Sequence, residues 1–145
     1  MRDDVILSDA ATAPARPGYE ATRARVETYF DKTATKTWER LTSDAPVSKI
    51  RETVRQGRDR MRDLMLSRLP ADLSGHRVLD AGCGAGQMTV ELAKRGAEVV
   101  ATDISPSLVN IAELRLPFEY RDQVTFSSGD MLDPALGSFD HVVAM

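Results

Sequence analysis

Three glycines at two-residue spacing, Gly82, Gly84 and Gly86, stand between a short apolar run and a helix-forming segment. No other feature narrows the folds open to this chain so far. In RVLDAGCGAGQMTVELAKRGAEVVATDIS (77–105), Val78 and Leu79 predict a short buried strand, and Met88, Val90, Leu92 and Ala93 predict a helix after the glycines. A second apolar run, Val99, Val100 and Ala101, ends at Asp103. Strand, glycine turn, helix and strand make a parallel βαβ unit whose first turn lets a ligand approach the backbone at a helix N-terminus. An acid at the tip of the second strand can accept hydrogen bonds from ribose hydroxyls. The pattern is that of a nucleoside-binding half-site; the glycine run by itself would be only a tight turn.

The turn's details select among nucleosides. A dinucleotide fingerprint places glycines at relative positions one, three and six, but here they fall at one, three and five, with Gln87 in the sixth place. Asp80, two residues before the first glycine, would repel a pyrophosphate and attract a ligand carrying an ammonium and a sulfonium. No Gly-Lys-Ser/Thr follows the glycines, which excludes a phosphate loop. VLDAGCGAG, with Asp103 and the later Gly129-Asp130-Met131, resembles the class I S-adenosylmethionine-dependent methyltransferases. The resemblance implies an α/β, Rossmann-like sheet in strand order 3-2-1-4, with S-adenosylmethionine as methyl donor and S-adenosylhomocysteine as product. It implies cofactor contacts from Asp80, Gly82, Gly84, Gly86, Asp103, Ile104, Asp130 and Met131. Asp130 would accept from the adenine amino group and the Met131 backbone would meet the ring edge; taken alone, Asp130 reads as a turn aspartate.

The 145 residues suit one core-forming domain, and 42% hydrophobic with 28% charged residues is a globular composition. No run approaches the roughly 18 apolar residues of a membrane span, and the polar N-terminus lacks the apolar core of a secretory signal, so a cytoplasmic location is expected. The lone Cys83, between two turn glycines, reads as a space-filler rather than a catalytic thiol, and no metal site is expected. A net charge of -3 argues against a nucleic-acid partner, although the charge is unevenly spread.

Residues 1–18 carry no sustained period and read as a loose tail. Tyr19, Thr22, Val26, Tyr29 and Phe30 recur at three- and four-residue intervals and predict an amphipathic helix. A second short helix is expected over 31–44, around Trp38 and Leu41. A third should run from an N-cap at Ser48 to Leu69, stopped by Pro70, with Ile50, Val54, Met61, Leu64, Met65 and Leu69 as its apolar stripe. Between Val47 and Leu69 seven basic residues face three acidic ones, a net of +4. That balance fits either a solvated face with pairs such as Arg55 with Asp59 or a surface meeting an acidic substrate, lipid or protein. Gly57 in mid-helix costs about 1 kcal/mol relative to alanine and marks a close contact or a bend. Downstream, Ser105-Pro106-Ser107 starts a helix that Pro117 ends, Val124–Phe126 make a third strand, and Phe139–Ala144 a fourth, within which His141 reads as structural.

The segment YFDKTATKTWERLTSDAPVSKIRETVRQGRDRM (29–61) resembles, more narrowly, the N-terminal region of the magnesium-protoporphyrin IX O-methyltransferases of (bacterio)chlorophyll biosynthesis. Tyr29-Phe30, Trp38-Glu39-Arg40 and Ile50…Val54…Gly57-Arg58 carry the likeness, which with the cofactor motifs covers most of 19–145. It implies methylation of a porphyrin propionate, with residues 19–70 as a helical cap over a cofactor-binding half-domain at 71–145. Tyr29 would orient acceptor or donor, and Arg55, Arg58 and Arg62 would meet propionates. Magnesium chelatase and an anionic photosynthetic membrane are the implied partners of the basic surface. Since the family continues past strand four, the resemblance also implies a chain cut short near Met145. Methyl transfer to another small acid, phenol or quinone, and a non-catalytic fragment, remain as alternatives.

Overall fold

The computed structural model describes residues 17–29, 31 and 49–145. Residues 1–16 of the expected tail and 32–44 of the short helix expected over 31–44 lie outside the described residues. Helix α1 spans Pro17–Thr28, so it begins inside the expected tail, with a proline in the first turn where its missing N–H is not needed. Helix α2 spans Lys49–Ser67. There follow β1 (Arg77–Ala81), α3 (Gln87–Lys94), β2 (Glu98–Asp103), α4 (Pro106–Arg115), β3 (Val124–Ser128) and β4 (His141–Ala144). Short 3-10 turns at Phe118–Gln123 and Pro134–Leu136 precede β3 and β4.

The four strands form one sheet in the expected order β3-β2-β1-β4, and every neighbouring pair is parallel. The order reverses between β1 and β4, and in such a sheet ligands bind outside the strands' carboxyl ends beside that reversal. Side chains alternate across β1. Val78 packs with Met88, Leu92, Val99 and Val143 under α3, whereas Leu79 and Ala81 join Val100 on the opposite face, covered by Leu136 and Phe139. Helix α4 contributes Val109 and Ala112 to a third cluster with Cys83 and Ala101. Its N-terminus is capped by Ser105, whose Oγ accepts from the Leu108 N–H.

The stripe expected on α2 is corrected. Ile50 is 79% exposed, and Val54, Met61 and Leu64 are also exposed. Leu66, outside the stripe, is the buried residue of the helix, and Met65 and Leu69 pack partly beside it. The C-terminal end of α2 joins the core beside the sheet. Arg95, just after α3, donates there from Nη1 to the carbonyls of Leu66, Leu69 and Pro70 at 2.8, 3.4 and 3.2 Å. A cation on the last turn's free carbonyls satisfies groups that have no partner within the helix.

At the opposite end of the sheet from the glycine turn, β4 is fastened to β1 by side chains. The Arg77 N–H donates to Asp140, its guanidinium donates to the carbonyls of Ser138 and Leu136, and it stacks on Phe139 with 4.4 Å to the ring centroid. His141 has the structural place expected of it. Its ring stacks on His76 with the Nε2 to Nδ1 separation at 3.0 Å, one nitrogen donating and the other accepting.

Candidate functional site

The glycine turn is built from the backbone. Gly82 and Cys83 donate their N–H groups to the Thr102 carbonyl at 2.8 and 2.9 Å, which ties the turn to the end of β2. Gly86 begins α3 at φ 87°, and a Cβ placed there would lie 2.9 Å from Cβ of Ala112. This glycine is therefore required twice over, for its left-handed backbone and for the close approach of α4. Cys83 is buried, and desolvation pushes its thiol well above the ordinary range, which fits the space-filling role expected of it.

Asp103 stands at the tip of β2 as expected. Its Oδ2 accepts from the Gly84 N–H at 2.9 Å and its Oδ1 from the Ser105 N–H at 3.0 Å. Both oxygens are thereby aimed, and each keeps lone-pair capacity for a further donor. The Asp103 carbonyl accepts from the Gly129 N–H at 2.9 Å, which brings the turn after β3 alongside.

Asp80, expected to face a cationic ligand directly, lies under the turn. It is 3% exposed and its Oδ2 accepts from Thr89 Oγ1 at 2.6 Å. The period of two along β1 explains the placement: Asp80 shares a face with Val78, and α3 covers that face. Burial raises its carboxyl to about 6; the Thr89 hydrogen bond opposes the rise and the Asp103 charge adds to it. Its influence on a bound cation is thus exerted by charge from beneath the turn.

Two segments distant in sequence close over this edge. From α1, Tyr19 donates its hydroxyl to Asp130 Oδ2 at 2.8 Å, and Arg23 Nε lies 4.0 Å from the same oxygen. Asp130 Oδ1 accepts from the Leu132 N–H, and this bond, with that from Tyr19, holds its carboxyl below the usual range. Asp31 reaches the N-terminus of α4, where it accepts from the Ser107 N–H at 3.0 Å and from the hydroxyls of Ser105 and Ser107. A carboxylate there complements the helix dipole. Neither Tyr19, Arg23 nor Asp31 was expected at the site; the acidic residue has no local signature, and Tyr19 was read only as part of an apolar face.

The carboxyl ends of the strands open into cavities that share walls. One of about 230 Å³ is lined by Tyr19, Arg23, Val26, Gly82, Thr102, Ile104, Gly129, Asp130 and Met131. Another of about 230 Å³ is lined by Arg58, Gly82, Gly84, Asp103, Ile104, Leu108 and Met145. Gly82 and Ile104 belong to both, so the two form one cleft from Asp130 past Asp103 to Arg58. It collects Gly82, Gly84, Asp103, Ile104, Asp130 and Met131 among the expected residues; Asp80 and Gly86 support it from behind.

The arginines separate. Arg55 lies 3.9 Å from Glu52 and Arg62 lies 3.1 Å from Asp59. Arg58 alone of the three lines the cleft. Tyr29 is exposed and lines neither part of it, but a separate cavity of about 790 Å³ along α1 with Thr22, Arg25 and Val26.

A family model described as a methyltransferase domain matches residues 78–145. The chain is 66% identical over 128 residues to the magnesium-protoporphyrin O-methyltransferase of Rhodobacter capsulatus, covering 88% of this chain and 57% of that protein. The crystal structure of magnesium protoporphyrin IX methyltransferase from Synechocystis PCC 6803 with bound SAH matches with a TM-score of 0.77 at 32% identity, over 84% of this chain and 57% of that one. The ubiquinone biosynthesis O-methyltransferase of Xanthomonas oryzae pv. oryzae is 42% identical over 79 residues, 51% of this chain and 32% of that protein. The chain thus spans a little over half the length of the first two relatives.

Proposed function

The chain belongs to the S-adenosylmethionine-dependent methyltransferases, in the branch of the magnesium-protoporphyrin O-methyltransferases, and from that premise we propose that it esterifies a propionate carboxylate of magnesium protoporphyrin IX. The observation that carries this reading is the cleft along the strand ends, with a backbone-aimed carboxylate, Asp103, at its middle and a cation, Arg58, at its far end. S-adenosylmethionine supplies an electrophilic methyl on a sulfonium sulfur. The residues present fit it. Asp103 offers its remaining lone pairs to ribose hydroxyls, and the Asp130–Met131 corner under α1 offers the adenine end. Thr102 Oγ1, in the wall of that corner, is buried and has no hydrogen-bond partner among the described residues. Asp80 places negative charge beneath the cationic end.

A carboxylate acceptor is ionised at neutral pH and needs no base. The carboxylate oxygen takes the methyl carbon while the carbon–sulfur bond breaks, leaving a methyl ester and a neutral thioether. What the protein contributes is alignment and exclusion of water. Residues 19–70 serve as the cap over 71–145; support comes from the Tyr19–Asp130 and Asp31–Ser107 contacts. Incubation of the full-length protein with S-adenosylmethionine and magnesium protoporphyrin IX, beside a panel of quinol precursors, tests the reading. A porphyrin monomethyl ester is expected; methylation confined to a quinol would transfer the assignment to the quinone branch, which the shorter Xanthomonas match favours.

The basic side of α2 supports a second part of the proposal: a protein of the cytoplasm, held at the photosynthetic membrane by anionic lipid and by the chelatase that supplies its substrate. No helix among the described residues is long and apolar enough to cross a membrane. Co-sedimentation with anionic but not zwitterionic vesicles, weakening as salt rises, is the expected behaviour; equal recovery with both vesicle types counts against it.

A further inference from the structure

Helix α1 supplies one wall of the cavity at the Asp130 end of the cleft. Tyr19, Arg23 and Val26 stand four and then three residues apart, which is one face of the helix, and all three line that cavity together with Ile104, Asp130 and Met131. A ligand that fills it therefore touches α1 as well as the edge of the sheet. Val26, Ile104 and Met131 give the cavity apolar surface, against which a flat ring can lie.

Two polar groups of opposite character share the cavity. Arg23 is held there by charge, with Nη1 3.6 Å from Glu20 and Nε 4.0 Å from Asp130 Oδ2. Its Nε–H is nevertheless buried and makes no hydrogen bond among the described residues, which is unfavourable until an acceptor arrives. Asp130 accepts from the Leu132 N–H at one oxygen and from Tyr19 at the other, and each oxygen keeps a lone pair. The Asp130 bond pushes the Tyr19 phenol above its ordinary range, so the hydroxyl stays a donor. A purine with an exocyclic amino group matches this pair. The amino group donates to Asp130, the ring nitrogens accept, and the ring face suits a guanidinium.

We propose that α1 reads the base of the methyl donor: Arg23 contacts the purine ring, and Tyr19 positions Asp130 for the base's amino group. Donor and helix then fasten each other, since by linkage whatever the donor gains from α1, α1 gains from the donor. The proposal rests on the methyl-transfer reading and adds to it two side chains that recognise the base and a reason for α1 to close when the donor is bound. Asp130 selects a base rather than the donor's own carboxylate as the partner of Arg23. A second carboxylate beside it would be repelled, whereas an aminopurine brings a donor and an acceptor to the two groups at once.

The test is calorimetry of the full-length protein with S-adenosylhomocysteine, with adenosine and purine riboside (which lacks the amino group) as competing ligands, alongside hydrogen exchange over α1. In the wild type, saturating S-adenosylhomocysteine should slow exchange of the α1 amides by about tenfold. Arg23→Leu should weaken all three ligands by a common factor of about ten. Arg25→Leu makes the same change of charge on the opposite side of α1 and should leave them within about twofold. Tyr19→Phe should weaken adenosine about threefold or more and purine riboside hardly at all, because the contact it supports is made by the amino group. A loss in Arg23→Leu confined to S-adenosylhomocysteine would put the guanidinium on the amino-acid end of the donor and overturn the proposal. Equal losses from Arg23→Leu and Arg25→Leu, or α1 exchange that ignores the ligand, overturn it too, and equal weakening of adenosine and purine riboside by Tyr19→Phe removes the part assigned to Tyr19. All of these leave the reaction standing, whereas a wild-type protein that does not bind S-adenosylhomocysteine overturns the reaction as well. Should Arg23→Leu leave α1 unfolded in the free protein, exchange in the wild type decides alone.

Discussion

Asp80→Asn isolates the electrostatic cost of the carboxyl beneath the glycine turn. Burial raises this group from 3.8 to about 6. Between those values the folded protein holds a proton that the unfolded chain has released, so stability falls as pH rises through the window and is level above it. A difference of about two pH units, at about 1.4 kcal/mol for each, makes the ionised carboxylate cost about 3 kcal/mol at neutral pH, and nothing below about pH 4. Asparagine does not titrate. Its carbonyl can accept from Thr89, while its amide brings a buried donor whose penalty, about 1–3 kcal/mol, is the same at every pH. The variant's stability relative to wild type should therefore climb by about 3 kcal/mol from about pH 4 to about pH 7, whatever the constant offset. Urea unfolding of both proteins across that range measures the slope. A cationic ligand should restore what the ionised carboxylate costs, so wild-type affinity for S-adenosylhomocysteine, which carries an ammonium, should rise over the same interval and that of the variant should not. Parallel stability curves for the two proteins would refute the reasoning, since they would mean that Asp80 is solvated enough to titrate normally.

Gly86→Ala forces an L side chain into φ 87° and places its Cβ 2.9 Å from that of Ala112, so a loss of roughly 2–5 kcal/mol is expected in urea unfolding, with α3 and α4 affected together. Asp103→Asn leaves one acceptor oxygen for the Gly84 and Ser105 N–H groups and turns an amide toward the cleft; calorimetry should show S-adenosylhomocysteine affinity reduced about 10–100-fold. Tyr19→Phe removes the hydroxyl bond to Asp130 and should speed hydrogen exchange in α1 about 2–10-fold while leaving the amides of β1 unchanged.

The βαβ unit was legible because its signals are local. An apolar run, glycines at fixed spacing and a second apolar run ending in an acid all lie within 77–105, and the strand order followed from the fold class they imply. The burial of Asp80 was one step away in the sequence: a strand's period of two puts it on the face of Val78, toward α3. The stripe on α2 failed for a different reason. Helical periodicity tells which residues share a face, but not which part of the helix joins the core, and among the described residues it is the last turns that do so, where Arg95 and Leu73 receive them. The clamp on the site's rim was out of reach altogether. Tyr19 meets Asp130 across 111 residues and Asp31 meets Ser107 across 76, and a hydrogen bond between such positions leaves no periodic trace.

On the proposed reading, donor and acceptor meet different kinds of structure. The donor side is mostly backbone: the turn's N–H groups anchor on Thr102 and aim Asp103, so few side chains there are free to vary without disturbing the sheet itself. On α2, by contrast, Val54 and Met61 are exposed and Leu66 is the buried residue. Such a face can change without loss of the fold. The Rhodobacter protein matches over 128 residues and the quinone-pathway protein over 79. If acceptor choice resides on α2, exchanging its exposed Val54 and Met61 should move specificity while leaving donor affinity unchanged, whereas exchanges within 82–86 should abolish donor binding for every acceptor alike.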